Sequence, residues 1–324
     1  MRALVTGAAG FIGSHLVERL LADGHQVIGL DDLSTGRTEN LPIGDPNLRF
    51  VTGTILDGSV VDEVMADADV VFHLAAAVGA FVIQERTLQG MLTNIHGTEN
   101  VLDAALRHDA RVLVASTSEV YGKNTKIGLA EGDDRIIGSP LKSRWTYAEA
   151  KSIDESITYC YVRELGLKAV IVRLFNTVGP RQSGRYGMVI PRLVGQALQG
   201  RPLTIFGTGK QIRCFCHVAD VVPALVRLAL LDTAQGMAVN LGSTEQVSIE
   251  ELAARIIAMT GSRSGTIQVP YEEAYGPGYE DMQRRVPDCT RARELVDFRP
   301  DHSLEDIISA VIDEQVLAGK AVTA

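Results

Sequence analysis

Short apolar runs alternate with stretches of helical periodicity along the first half of the chain. Ala3-Leu4-Val5 predicts a buried strand, followed by a glycine turn and a helix over Ser14–Asp23 that Gly24 ends. Gln26–Leu30 predicts a second strand, and similar runs recur at Arg49–Thr52, Val70–Leu74, Val112–Ser116 and Ala169–Arg173. Apolar strands separated by helices argue for a parallel sheet covered on both faces. The expected fold class is α/β: a Rossmann-like doubly wound parallel sheet, with ligands beyond the carboxyl ends of its strands.

After Phe175 the pattern loosens. Gly179 to Gly187 reads as a loop, Val189–Leu198 as a helix and Pro202–Phe206 as a strand. Ser248-Ile-Glu-Glu251 has capping-box spacing and predicts a helix through Ala258. Tyr271 to Pro287, rich in Gly, Pro, Tyr and charge, predicts an irregular segment over a site. The expected division is residues 1–176 and about 212–242 for dinucleotide binding. Residues of about 177–211 and 243–324 would form a smaller α/β substrate-binding lobe.

Composition narrows the chemistry. A formal charge of −9 argues against a nucleic-acid partner. No apolar run approaches the ~20 residues of a membrane span, and a strand starting almost at once leaves no room for a leader, so a cytoplasmic location is expected. Four cysteines without a Cys-x-x-Cys pair suggest reduced thiols. Arg213-Cys-Phe-Cys-His-Val reads as one strand with Cys214 and Cys216 on one face and His217 on the other, and no metal is expected.

Three motifs carry chemistry. Gly7-x-x-Gly10-x-x-Gly13 lies between a strand and a helix, where glycines permit a tight turn and close approach of a pyrophosphate. Asp31 and Asp32 end the second strand, where a carboxylate can grip ribose hydroxyls and repel a 2′-phosphate; NAD is favoured, with Arg37 leaving NADP open. Tyr147-x-x-x-Lys151 places a phenol and an ammonium on one helix face, and the lysine is expected to lower the tyrosine pKa from about 10. Ser116-Thr117-Ser118-Glu119 follows another strand; a hydroxyl there can order the substrate oxygen that Tyr147 deprotonates, and Glu119 can act on the adjacent carbon.

These motifs, with His73-Leu-Ala-Ala76, Arg173-Leu-Phe-Asn-Thr-Val-Gly-Pro-Arg181 and Arg213-x-x-x-His-Val-x-Asp220, resemble the extended short-chain dehydrogenase/reductases that remodel nucleotide sugars. The resemblance implies Tyr147 as base, Lys151 on the nicotinamide ribose, and Thr117 or Ser118 on the sugar hydroxyl. It implies NAD contacts from Gly7, Gly10, Phe11, Ile12, Gly13, Asp31, Asp32, Ser34, Thr35, Gly36, Leu74, Ala75, Ala76, Tyr147 and Lys151. Asn176, Thr177, Arg185, Thr204, Phe206, Arg213 and Arg285 would meet a UDP-sugar. Gly53-Thr54-Ile55 departs from relatives that carry an acid after the glycine, which leaves the adenine contacts open.

Ser118 stands where nucleotide-sugar 4,6-dehydratases carry an aspartate, which counts against dehydration. Thr-Ser-Glu-Val-Tyr-Gly, Phe-Asn-Thr and Arg285-Val-Pro-Asp288 look most like UDP-glucuronic acid decarboxylases. Oxidation at carbon 4 would leave a β-keto acid that loses carbon dioxide, and re-reduction would give a UDP-pentose unless the ketone is released. The segment Gly138 to Trp145 departs from that pattern, so a UDP-sugar 4-epimerase stays as the alternative. A non-catalytic NAD-binding regulator is a weaker reading, because Tyr147 and Lys151 are both present. A homodimer is implied by the resemblance, through the helices near Ile95–Leu106 and Tyr147–Leu165.

Overall fold

The computed structural model describes residues 1–78, 86–184, 187–276 and 279–323. The chain opens with β1 (Arg2–Thr6), α1 (Phe11–Ala22), β2 (Gln26–Asp31) and β3 (Leu48–Thr52). Next come α2 (Gly58–Met65), β4 (Val70–His73), α3 (Thr87–Arg107), β5 (Arg111–Thr117), α4 (Thr146–Leu165) and β6 (Ala169–Leu174). The remainder holds β7 (Thr177–Val178), α5 (Val189–Leu198), β8 (Leu203–Phe206), β9 (Ile212–Cys214), β10 (Cys216–His217) and α6 (Val218–Leu230). It ends with β11 (Ala238–Leu241), β12 (Gln246–Ser248), α7 (Ile249–Thr260), β13 (Thr266–Val269), α8 (Tyr271–Tyr275), α9 (Thr290–Val296) and α10 (Leu304–Thr323).

Seven strands form one parallel sheet in the order β11-β6-β5-β4-β1-β2-β3. The chain winds outward from β1 in one direction and from β4 in the other, so a crevice opens beyond their carboxyl ends. The doubly wound α/β expectation is correct. Leu16, Val17 and Leu20 of α1 pack with Val221, Leu225 and Leu228 of α6 in a cluster with Val5 and Phe72. Val101, Leu102 and Ala105 of α3 pack with Leu4, Val71 and Val112 in a second cluster. Alternate strand residues feed the two clusters, as the pleat requires.

A third cluster joins Leu193 of α5, Leu203 of β8, Leu252 of α7 and Ile308 of α10. It builds a smaller unit whose β8 pairs in parallel with β13. Ser248 caps α7 with both hydrogen bonds of the capping box, Ser248 Oγ accepting from Glu251 N and Glu251 accepting from Ser248 N.

Two local expectations change. The segment 271–287 contains the short helix α8, so it is not wholly irregular. Arg213 to His217 is not one alternating strand: the chain breaks at Phe215, β9 pairs antiparallel with β12, and β10 pairs in parallel with β7. Cys214, Cys216 and His217 are consequently all buried. Among the described residues no His, Cys, Asp and Glu group could hold a metal ion.

Candidate active site

The turn from β1 into α1 is shaped by close approach. Gly7 has φ +71°, and a Cβ there would sit 2.8 Å from the Ala75 nitrogen; one on Gly13 would sit 2.0 Å from the Gly7 carbonyl oxygen. Only glycine fits either position. Gly10 caps α1, whose first turn carries no acid, leaving an N-terminus that suits an anion. Asp31, at the end of β2, accepts hydrogen bonds from Ala9 N at 2.9 Å and Leu33 N at 2.8 Å. Burial raises its carboxyl pKa, and these backbone donors oppose the rise. A glycine cradle, an open helix terminus and an acid at the next strand end fit an adenine dinucleotide.

β5 and α4 aim the reacting groups into the same cavity of about 840 Å³. Thr117 ends β5, and its Oγ1 accepts from Glu119 N at 3.2 Å, so the turn after the strand directs Glu119 inward. Tyr147 and Lys151, one helical turn apart on α4, line the cavity with Thr117, Ser118 and Glu119. Beneath them Glu155 accepts from Arg173 at 2.9 and 2.7 Å and from Ser116 at 2.5 Å, a buried pair that locks α4 to β5 and β6.

Glu119 is held on both oxygens. Arg144 donates to Oε2 at 2.6 Å and Arg285 to Oε1 at 3.3 Å. Burial alone would raise this carboxyl pKa, but the two guanidinium groups outweigh burial and bring it below the usual range. Arg285 also donates to Asn176 Oδ1 at 2.6 Å and Ser118 Oγ at 3.3 Å. Asp281 receives Arg213 at 2.8 Å and the Tyr271 hydroxyl at 2.9 Å, with Arg144 3.8 Å away. Farther along the cavity the Tyr275 and Tyr279 rings stack 4.2 Å apart, Phe206 meets Tyr275 edge-on at 5.3 Å, and Arg192 lies 4.2 Å over Phe206.

The family model described as NAD dependent epimerase/dehydratase family matches residues 3–242. The chain belongs to that family. Its cofactor is NAD. The chain is 41% identical over 312 residues to a UDP-N-acetyl-alpha-D-glucosaminuronate decarboxylase of Bacillus cytotoxicus, covering 96% of each. It is 36% identical to UDP-glucuronic acid decarboxylase 1 of Xenopus tropicalis, over 96% of this chain and 71% of that protein. Among solved structures, a UDP-glucuronic acid 4-epimerase from Bacillus cereus in complex with NAD superposes with a TM-score of 0.86 at 29% identity, over 98% of this chain and 99% of the other.

Within this member of the family, Gly7, Gly10, Phe11, Ile12, Gly13, Asp31, Asp32, Ser34, Thr35, Leu74, Ala75 and Ala76 line the cavity. Gly36 does not line it: a Cβ there would lie 2.9 Å from Asp31 Oδ1, so the residue instead lets its loop close on Asp31. Asn176, Thr177, Phe206, Arg213 and Arg285 line the cavity, and Arg185 lies outside the described residues. Thr204 is a correction. It is absent from the lining, and its hydroxyl is engaged by Arg192 and Gln196 at the base of β8.

The expectation for the tyrosine also changes. Burial pushes the Tyr147 phenol up, Glu119 and Asp154 push it further, and Arg285 opposes them. Lys151 is not among the groups that shift this phenol; its Nζ is 3.1 Å from the Asp154 carboxylate. Arg144, Asp281 and the tyrosines Tyr271, Tyr275 and Tyr279 are site residues that motif reading missed. Arg144, three positions before Tyr147 on the approach to the same helix, was the one with a usable signal.

Proposed function

We propose that this chain is an NAD-dependent decarboxylase of a UDP-linked uronic acid, with UDP-glucuronate as the first substrate to test. The observation that carries the reading is Glu119, a half-buried side chain that lines the cavity with Tyr147 and is fixed as an anion by Arg144 and Arg285. Similarity over 96% of this chain to decarboxylases of two UDP-uronic acids supports it. NAD supplies the hydride acceptor and donor at sugar carbon 4.

Tyr147 takes the proton of the 4-hydroxyl, and Thr117 or Ser118 orders that oxygen. The resulting ketone is β to the carboxylate, so the carbon–carbon bond breaks with its electrons moving to the ketone oxygen and carbon dioxide leaves. The Tyr147 and Thr117 hydroxyls can hydrogen-bond the enolate oxygen where charge develops. One proton must then reach carbon 5. Glu119, as an anion between two arginines, orders the water that brings it.

Lys151 meets the nicotinamide ribose, and the Gly7–Gly13 turn meets the pyrophosphate. Phe206, Arg192 and the three tyrosines offer flat and cationic surfaces for a uracil and its ribose. A substrate with a 2-acetamido group is the second reading, favoured by the 41% identical relative. We also propose a homodimer. Leu88 and Leu92 on α3 and Ile153 and Tyr159 on α4 are exposed apolar side chains on adjoining helices. No helix among the described residues is long and apolar enough to cross a membrane.

The test incubates the protein and NAD separately with UDP-glucuronate and its 2-acetamido analogue, then weighs the products. Loss of carbon dioxide supports the reading; an isomer of unchanged mass replaces it with 4-epimerisation. Tyr147→Phe should bind NAD and lose turnover, and Glu119→Ser should slow decarboxylation by about 10²-fold. Decarboxylation at the parent rate in Glu119→Ser removes that residue from the reaction.

A further inference from the structure

Asp154 lies one turn beyond Lys151 on α4, at the i,i+3 spacing that brings two side chains together. Lys151 Nζ is 3.1 Å from Asp154 Oδ2, and their side chains are 3% and 0% exposed. Lys151 lines the cavity; Asp154 does not. Burial raises the Asp154 carboxyl pKa; the Lys151 charge opposes that rise most, and Lys151 and Thr98 as nearby donors oppose it further, although neither oxygen meets strict hydrogen-bond geometry.

Burying an ion costs several kcal/mol, so a carboxylate at this depth calls for a reason. The other charged groups near Lys151 are already committed. On α4 itself, Glu155 is paired with Arg173 of β6 and bonded to Ser116 of β5. From the turn after β5, Glu119 is held by Arg144, which precedes α4, and by Arg285. From β4, His73 hydrogen-bonds Thr6 and Thr98 of α3, and burial, then Lys151, lower its pKa to about 3, so it is neutral. Asp154 is thus the one counter-ion in contact with Lys151 among the described residues.

We propose that Asp154 is a positioning residue whose carboxylate neutralises Lys151, so that the site can hold this lysine together with the positively charged, oxidised nicotinamide of NAD. Without it, two cations would share a buried pocket. The arrangement has a cost at Tyr147, whose phenol Asp154 helps push up. The site gives up phenolate population at neutral pH in the cofactor-free state and gains charge balance when the oxidised cofactor binds. This inference rests on NAD binding and is independent of which sugar is used.

The test measures dissociation constants for NAD+ and NADH in the parent, Asp154→Asn and the smaller Asp154→Ser. For the parent, the ratio of the two constants should stay level from pH ~6 to ~9.5. In both neutral variants NAD+ should weaken relative to NADH by about tenfold at pH ~6. The ratio should return toward the parent's by pH ~9.5, as a buried lysine without its partner gives up its proton. Asp154→Glu should restore the parent pattern. Lys151→Met should shift the ratio the opposite way at high pH, so the proposal stays testable if the neutral variants do not fold. Parent-like ratios at both pH values in Asp154→Asn and Asp154→Ser would overturn it. Because no sugar is present, a wrong substrate assignment leaves this result untouched.

Discussion

Glu119 works as an anion only while its arginines outweigh its burial. Arg144 donates at 2.6 Å and is the shorter of its two partners. Arg144→Gln keeps a donor and removes the charge, so the Glu119 carboxyl pKa should rise. A carboxylate whose pKa rises is ionised only at higher pH, so if Glu119 must be an anion to order the water, the acid limb of the turnover profile should move up. We expect kcat to fall by about 10²-fold near neutrality and to recover in part as pH rises. A uniformly scaled profile would show that the ionisation of Glu119 is not what Arg144 controls.

At the scale of elements, β1, β4 and α3 meet at His73, the last residue of β4. Its ring joins Thr6 at 2.9 Å to Thr98 at 3.1 Å, bracing the sheet against α3 beneath the site. Burial is the main reason that its pKa falls from 6.5 to about 3. The folded state therefore binds fewer protons than the unfolded state between those values. The contribution is complete above pH 6.5 and is lost as pH falls toward the folded value. The urea midpoint of the parent should drop more steeply below pH 6.5 than that of His73→Gln, measured over the same buffers. Equal slopes would assign acid sensitivity to the carboxylates instead.

Elements of this kind were largely legible in the sequence, because apolar runs and caps are local signals. Val189–Leu198 was read to the residue, and Ser248 with Glu251 announced its helix. Gly7, Tyr147 and Glu119 were legible for the same reason, each sitting at a strand end or on a helix face. Asp281 was not legible: Arg213 and Tyr271 reach it only after the chain has folded back across the cavity. Thr204 misled because strand position alone cannot say that Arg192 and Gln196 already occupy its hydroxyl.

For the whole molecule, the proposed pairing of two copies rests on α3 and α4. Leu88 and Leu92 are 71% and 42% exposed and four residues apart on one stripe of α3. Leu92→Glu should leave NAD binding intact and reduce the mass in light scattering to that of one chain; an unchanged mass would place the interface elsewhere. The same α4 is tied to the far side of the cavity. Glu280 accepts from the Trp145 indole at 2.9 Å and from Lys142 at 2.5 Å, and it pairs with Lys123 at 2.7 Å. Tyr279, Asp281 and Arg285 flank it in the chain and line the cavity, so Glu280 ties this lining to the approach of α4. A charge-neutral residue at 280 would free Lys123, Lys142 and the Trp145 indole together, and with them the segment that carries both Arg144 and the start of the helix that holds Tyr147. One carboxylate therefore fastens two parts of the chain whose arginines, Arg144 and Arg285, meet on Glu119.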